Sequence, residues 1–142
     1  MAPQADTETL RGALDLIKKA FHAYNLAWVN LGYAQPSEPL PLPDTVSLYD
    51  YELNENAVRQ VELGNEYLAR ACELYSPLLD FRPARIGSAT EEFMLSMVLG
   101  RFPGDLMFME KAARNLDLIR RTARALPAYI RELEELIRWA EF

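Results

Sequence analysis

The sequence predicts an all-α fold, an antiparallel helical bundle of four or five helices with a Pro-rich extended strap at about residues 33–53. Three observations carry that reading. Met109, Ala112, Leu116, Ile119, Ala123, Leu126, Ile130, Leu133, Ile137 and Ala140 recur in unbroken steps of three and four, the heptad spacing that keeps one helix edge facing a partner. Leu10, Leu14, Ile17, Phe21, Tyr24, Trp28 and Leu31 repeat the same steps near the start of the chain. Between the two seams, Pro36, Pro39, Pro41 and Pro43 fall within eight residues, where a helix cannot continue.

The first helix is expected to begin after Asp6 or Thr7, either of which can cap it. Beside its seam runs a row of small residues, Ala13, Ala20, Ala23 and Ala27, so it is expected to meet more than one neighbour. Gly32 is placed to end it. The prolines that follow favour polyproline geometry. The run Val46, Leu48, Tyr49, Tyr51, Leu53 is too apolar for an idle linker. It reads as a short strand or as part of the strap laid across the bundle.

A second helix is expected from Asn54 or Asn56, with the seam Val58, Val61, Asn65, Leu68, Cys72, Tyr75, ending at Ser76-Pro77. Asn65 on that seam either pins register or, with Gly64, marks a bend open to solvent. Residues 77–87 read as a loop. Ser88-Ala89-Thr90-Glu91 has the spacing of a capping box and opens a third helix carrying Phe93, Met94, Met97 and Val98. Pro103-Gly104 is expected to turn the chain and Asp105 to cap a fourth helix. Pro127 lies inside the long seam without shifting its register. That predicts either one continuous, kinked helix or two nearly collinear ones, roughly 55 Å from Asp105 to Phe142.

A length of 142 residues indicates one domain, 1–142. Such a chain buries roughly two thirds of its unfolded surface and folds without a staple. Cys72 is the only cysteine; on a helix seam it reads as a small core residue in a reducing compartment. With no run of about 20 apolar residues and a polar, acidic start, the chain is expected to be cytoplasmic, with no membrane partner.

The net charge is −6. Residues 44–80 hold two basic and eight acidic groups and so carry the whole imbalance. Such a segment is either a solvated helix face or a surface that attracts basic proteins and repels nucleic-acid phosphates.

Chemistry is hard to place in this sequence. His22, the only histidine, has no carboxylate one helical turn away and reads as a surface or boundary residue. The Glu-x-x-His pairing of a di-metal bundle is absent, since Lys19 stands three residues before His22. One cysteine and one histidine cannot make a zinc site. No glycine-rich phosphate loop is present. The adjacent pairs Glu91-Glu92 and Glu134-Glu135 point to different helix faces. The expectation is therefore a non-enzymatic protein with no cofactor and no metal.

What remains is interaction. The expected partner is a larger protein or complex, contacted through Tyr49, Tyr51, Glu55, Glu62, Glu66, Glu73, Trp139 and Phe142. For Trp139 and Phe142 the alternative is folding back to close the core. A nucleic-acid enzyme such as a polymerase, nuclease or effector complex presents the right basic surface. That would make this chain a regulator or inhibitor, of phage or mobile-element origin. Two other classes compete. One is a structural subunit, a homo-oligomer formed through the long C-terminal helix. The other is a nucleic-acid-binding module using Arg114, Arg121, Arg124 and Arg131, with Arg138 continuing the row. Glu110, Asp117, Glu132 and Glu135 interleave with those arginines and weigh against direct nucleic-acid binding.

Overall fold

The computed structural model describes residues 6–34, 46–83 and 85–141. Among them are four α-helices and no strand: α1 (Thr7–Ala34), α2 (Leu48–Leu74), α3 (Thr90–Val98) and α4 (Arg101–Ala140), with a 3-10 turn over Ser76–Asp80. The all-α class is as expected. None of these helices is long and apolar enough to cross a membrane.

α1 is the central element and packs on both α2 and α4. Its small residues permit this: Ala13, Ala20 and Ala27 are fully buried. Asp6 caps it, accepting a 2.7 Å hydrogen bond from the Thr9 N–H; hydrogen bonds from Thr9 hold the Asp6 carboxyl below the ordinary carboxylate range. The helix passes through Gly32 and runs to Ala34. Its start lies beside the end of α2, where a Cβ on Gly12 would meet Leu74. It also lies beside the end of α4, where Arg11 pairs with Glu141 and Lys18 with Glu134. α1 is therefore antiparallel to both, and α2 and α4 run parallel to each other.

α2 begins six residues before the first expected position. The proline-rich residues 35–45 lie outside the described residues, but the expected strand or strap over Val46–Leu53 is replaced by helix from Leu48. A capping box at Ser47 and Asp50 causes this. The Asp50 N–H donates to Ser47 Oγ, and the Ser47 N–H donates to Asp50 Oδ2 at 2.7 Å. Helical spacing then turns Tyr51, Leu53, Asn54 and Ala57 inward and leaves Leu48 and Tyr49 exposed. The helix does not break at Gly64-Asn65. A Cβ on Gly64 would stand 2.9 Å from the Tyr24 ring, and the Tyr24 hydroxyl donates to Asn65 Oδ1. Of the two readings of Asn65, the structure takes the cross-helix one.

Two further cap expectations are corrected. Ser88 and Glu91 do not form a capping box; Ala89 is the N-cap residue of α3 and makes no side-chain cap bond. Ser88 Oγ donates instead to Glu55 Oε2 at 2.9 Å, a partner from another helix. Asp105 does not start α4, which begins at Arg101 after Gly100 with φ 95°. Pro103 falls in the first turn, where its missing N–H has no intrahelical partner to lose. Asp105 sits in the second turn, buried, and accepts from the Tyr51 hydroxyl at 2.8 Å. α4 then runs unbroken through Pro127, the continuous alternative. At 1.5 Å per residue it is about 60 Å long against about 42 Å for α1. α3 and the start of α2 cover the excess: Tyr51 packs against Phe108 at 4.3 Å and Phe93 at 5.3 Å between ring centroids.

Candidate functional site: a polar clamp and an open helix face

Residues 87–89 are bonded to both α2 and α4. Phe81 packs edge-on to Tyr129 at 6.0 Å, and Gly87 is held beside Asn115. Those two points on α4 lie about 21 Å apart along the helix. Where this non-helical backbone packs on the helices, its polar groups need partners. Asn54 and Asn115 supply them. Asn115 Oδ1 accepts from the Gly87 N–H at 3.1 Å, and Asn115 Nδ2 donates to the Gly87 carbonyl at 2.9 Å and to Asn54 Oδ1 at 3.1 Å. Asn54 Nδ2 also donates to the Gly87 carbonyl, at 3.3 Å.

Glu55 continues the clamp. It accepts from the Ala89 N–H at 2.7 Å as well as from Ser88 Oγ. Lys111 Nζ donates to the Ser88 carbonyl at 3.1 Å and pairs with the buried Glu92 at 2.6 Å. Burial, and then the hydrogen bond to Asp105, pushes the Tyr51 phenol up. These contacts tie the start of α3 to α2 and α4, although Glu92 Oε2 is buried without a hydrogen-bond partner among the described residues.

Beside the clamp, α2 and α3 enclose an open groove of about 450 Å3, lined by Leu48, Glu52, Glu55, Arg59, Thr90 and Phe93 among others. That volume falls within the range of ligand and peptide-anchor sites. α3 itself is the most unusual surface on the molecule. One face lies so close to α4 that a Cβ on Gly104 would stand 2.5 Å from the Ser96 backbone nitrogen. On the opposite face Met94, Met97 and Val98, with Leu99 just beyond the helix, are 60%, 73%, 78% and 64% exposed. Scattered apolar residues are normal on a surface; four within six positions are not.

The expected contact residues divide. Tyr49 is exposed, and so are Glu62, Glu66 and Glu73. With Glu52 and Glu55 these carboxylates recur at steps of three, four and seven along the outer face of α2. Tyr51 is largely buried and bonded to Asp105, with its remaining surface in the wall of the groove. Trp139 does not fold back to close the core; it is 78% exposed, and Phe142 lies outside the described residues. Arg114, Arg121, Arg124, Arg131 and Arg138 are all exposed. Arg121 is paired with Asp117 at 2.9 Å. His22 is exposed, as expected. Cys72 is half-buried, and burial pushes its thiol up, away from the thiolate a nucleophile needs. No group of three or more His, Cys, Asp or Glu among the described residues is placed to hold a metal.

Sequence reasoning missed the open face of α3. Its apolar residues were visible, but nothing local says which of them find a partner within the chain. No family model, no curated protein and no solved structure matches this chain.

Proposed function

We propose that this chain is a non-enzymatic protein-interaction module that docks on a larger protein through the open face of α3 and the adjoining α2–α3 groove. The observation that carries the reading is the exposure of Met94, Met97, Val98 and Leu99 together on one side of a short helix. Methionine-rich faces adapt to the side chains of a partner. The carboxylates beside them, Glu52 and Glu91 near the groove and Glu62, Glu66 and Glu73 further along α2, select a partner that is apolar at its centre and basic at its edges. An amphipathic helix on the basic surface of a nucleic-acid enzyme has that chemistry. Regulation or inhibition of such an enzyme in the cytoplasm is the role this reading favours.

The two competing classes have less support. The long seam of α4 is filled from within the chain: Ala112, Ile119, Leu126 and Leu133 are buried. Self-association through that seam would require displacing α1. The arginine row is interleaved with carboxylates, and one of its members is already paired.

The test uses a labelled 20-residue amphipathic peptide of leucine and lysine, read by fluorescence anisotropy, with a leucine–glutamate peptide as control. The expected result is salt-dependent binding of the basic peptide alone. It should be lost in Met97→Glu and weakened when Glu62, Glu66 and Glu73 are reversed to lysine. Equal binding of both peptides, or full binding by Met97→Glu, overturns the reading. A stable oligomer in sedimentation that Met97→Glu dissolves would assign the face to a second copy instead.

A further inference from the structure

A second cleft lies between α1 and α4, far from α3. It encloses about 210 Å3 and is lined by Phe21, Asn25, Trp28, Arg120, Ala123, Arg124 and Pro127. We infer that this cleft binds a small free anion carrying one aromatic ring, a carboxylate or phosphate held by Arg120 and Arg124 with its ring against Trp28 and Phe21.

Four observations converge on that chemistry. Arg120 and Arg124 stand one helical turn apart on α4, so both guanidinium forks can reach one anionic group. Neither has a carboxylate within ion-pair distance among the described residues. In a chain of net charge −6, two unpaired guanidiniums at one cleft make a local cationic site.

Trp28 is 41% exposed, although it belongs to the α1 seam. The guanidinium of Arg120 lies 5.8 Å from its ring centroid, a cation–π contact. That contact stacks cation and ring on one another and leaves an indole edge for a second aromatic group.

Pro127 supplies the third feature. It has no N–H for the carbonyl of Ala123, four residues earlier, and both residues line the cleft. A backbone acceptor there lacks its helical donor, and Asn25 offers a further amide. A ligand with a hydroxyl or N–H beside its anionic group would satisfy them.

Size is the fourth. The cleft is smaller than the roughly 300–1,000 Å3 of sites for drug-sized ligands, which limits the occupant to one ring and its head group.

The chain contains two tryptophans. In Trp139→Phe, which removes the exposed one, emission reports on Trp28 alone. This variant is titrated with benzoate and phenyl phosphate, and with inorganic phosphate and benzyl alcohol as the two halves of the ligand. At least one aromatic anion is expected to give a saturable change in emission, with each half at least about tenfold weaker. Adding Arg124→Gln should weaken the aromatic anion by about tenfold or more, the loss expected for one charge-assisted hydrogen bond. Arg121→Gln, outside the cleft and paired with Asp117, should leave it unchanged. A linear, unsaturated response to both aromatic anions up to about 10 mM, equal binding of the neutral alcohol, or indifference to Arg124→Gln overturns the inference. Circular dichroism on each variant separates loss of the cleft from loss of fold.

Discussion

Gly104→Ala is the substitution whose sign the structure determines most sharply. Gly104 lies in the second turn of α4, against α3. A Cβ there would stand 2.5 Å from the Ser96 nitrogen, 2.6 Å from the Glu92 carbonyl oxygen and 2.7 Å from the Ser96 Cα. All three atoms are backbone, so no side chain can rotate away; the two helices must part by about 1 Å to reach ordinary contact at about 3.5 Å. Helix propensity works in the other direction: alanine is favoured over glycine in a helix interior by about 1 kcal/mol. Overpacking a well-packed site costs about 1–3 kcal/mol. A neighbour made wholly of backbone belongs at the upper end, so the net expectation is a loss of about 2 kcal/mol.

Urea unfolding followed by circular dichroism measures that difference. Ala125→Gly, on an exposed stretch of the same helix, calibrates the propensity term separately. Hydrogen exchange locates the damage, which should fall on α3 and residues 85–89 before the α1–α2 pair. A Gly104→Ala protein more stable than the parent by about 1 kcal/mol would show that propensity alone governs the site and that α3 does not pack this closely on α4.

Three other outcomes follow from the same geometry. Asn115→Ala removes three hydrogen bonds and strands the Gly87 backbone and Asn54. It should cost about 2–4 kcal/mol in urea unfolding, and a loss under about 1 kcal/mol would mean that water replaces the amide. Burial raises the phenols of Tyr24, Tyr51 and Tyr75. Their contribution to stability is therefore fully present below the unfolded value of about 10 and lost as pH rises beyond it. Phenolate absorbance from these three should rise together with the loss of helix signal, and ionisation with the fold intact would refute the burial. Pro127→Ala restores an N–H to the Ala123 carbonyl. It gains about 3 kcal/mol of helix propensity, less up to about 1 kcal/mol from a more flexible unfolded chain, so thermal unfolding should shift upward; a downward shift would mean that the proline ring is packed into the cleft wall.

The parts of this fold that the sequence discloses are those fixed by neighbours within one helix. The seam of α1, its Asp6 cap and the passage of α4 through Pro127 all depend on residues three or four apart. The errors come from partners far along the chain. Ser88 has only the spacing of a capping box in its own segment and gives its hydroxyl to Glu55, 33 residues away. Asp105 resembles a cap and is claimed by Tyr51 across 54 residues. Asn54 and Asn115 stand 61 residues apart, and nothing local to either says that they share a backbone between them. The start of α2 was readable in principle, since Ser47 and Asp50 have capping-box spacing without the usual glutamate; the prolines before them favour extended chain and masked it. The candidate docking face was legible as composition only. Met94, Met97 and Val98 read as ordinary helix apolars, and their exposure depends on how α3 is set against α4.

That setting follows from topology. Parallel α2 and α4 oblige the chain to return along them before α4 can begin, and the non-helical residues 85–89 must find outside partners for their backbone. The buried Asn54 and Asn115, with the half-buried Glu55 and Lys111, bond the backbone of this return or Ser88; the buried Asp105 and Thr122 of α4 bond Tyr51 and the Leu118 carbonyl instead. Glu92 is accounted for by Lys111. The outward methionines of α3 have no such account. Gly104 and Ser96 already bring α3 as near to α4 as backbones allow, so Met94, Met97 and Val98 add nothing to that packing. Replacing them with polar residues of good helix propensity should leave unfolding free energy within about 0.5 kcal/mol. Unfolding unmoved by those replacements is the result that would separate the proposed docking role of this face from a role in the fold, and a loss of more than about 1 kcal/mol would assign the face to the fold.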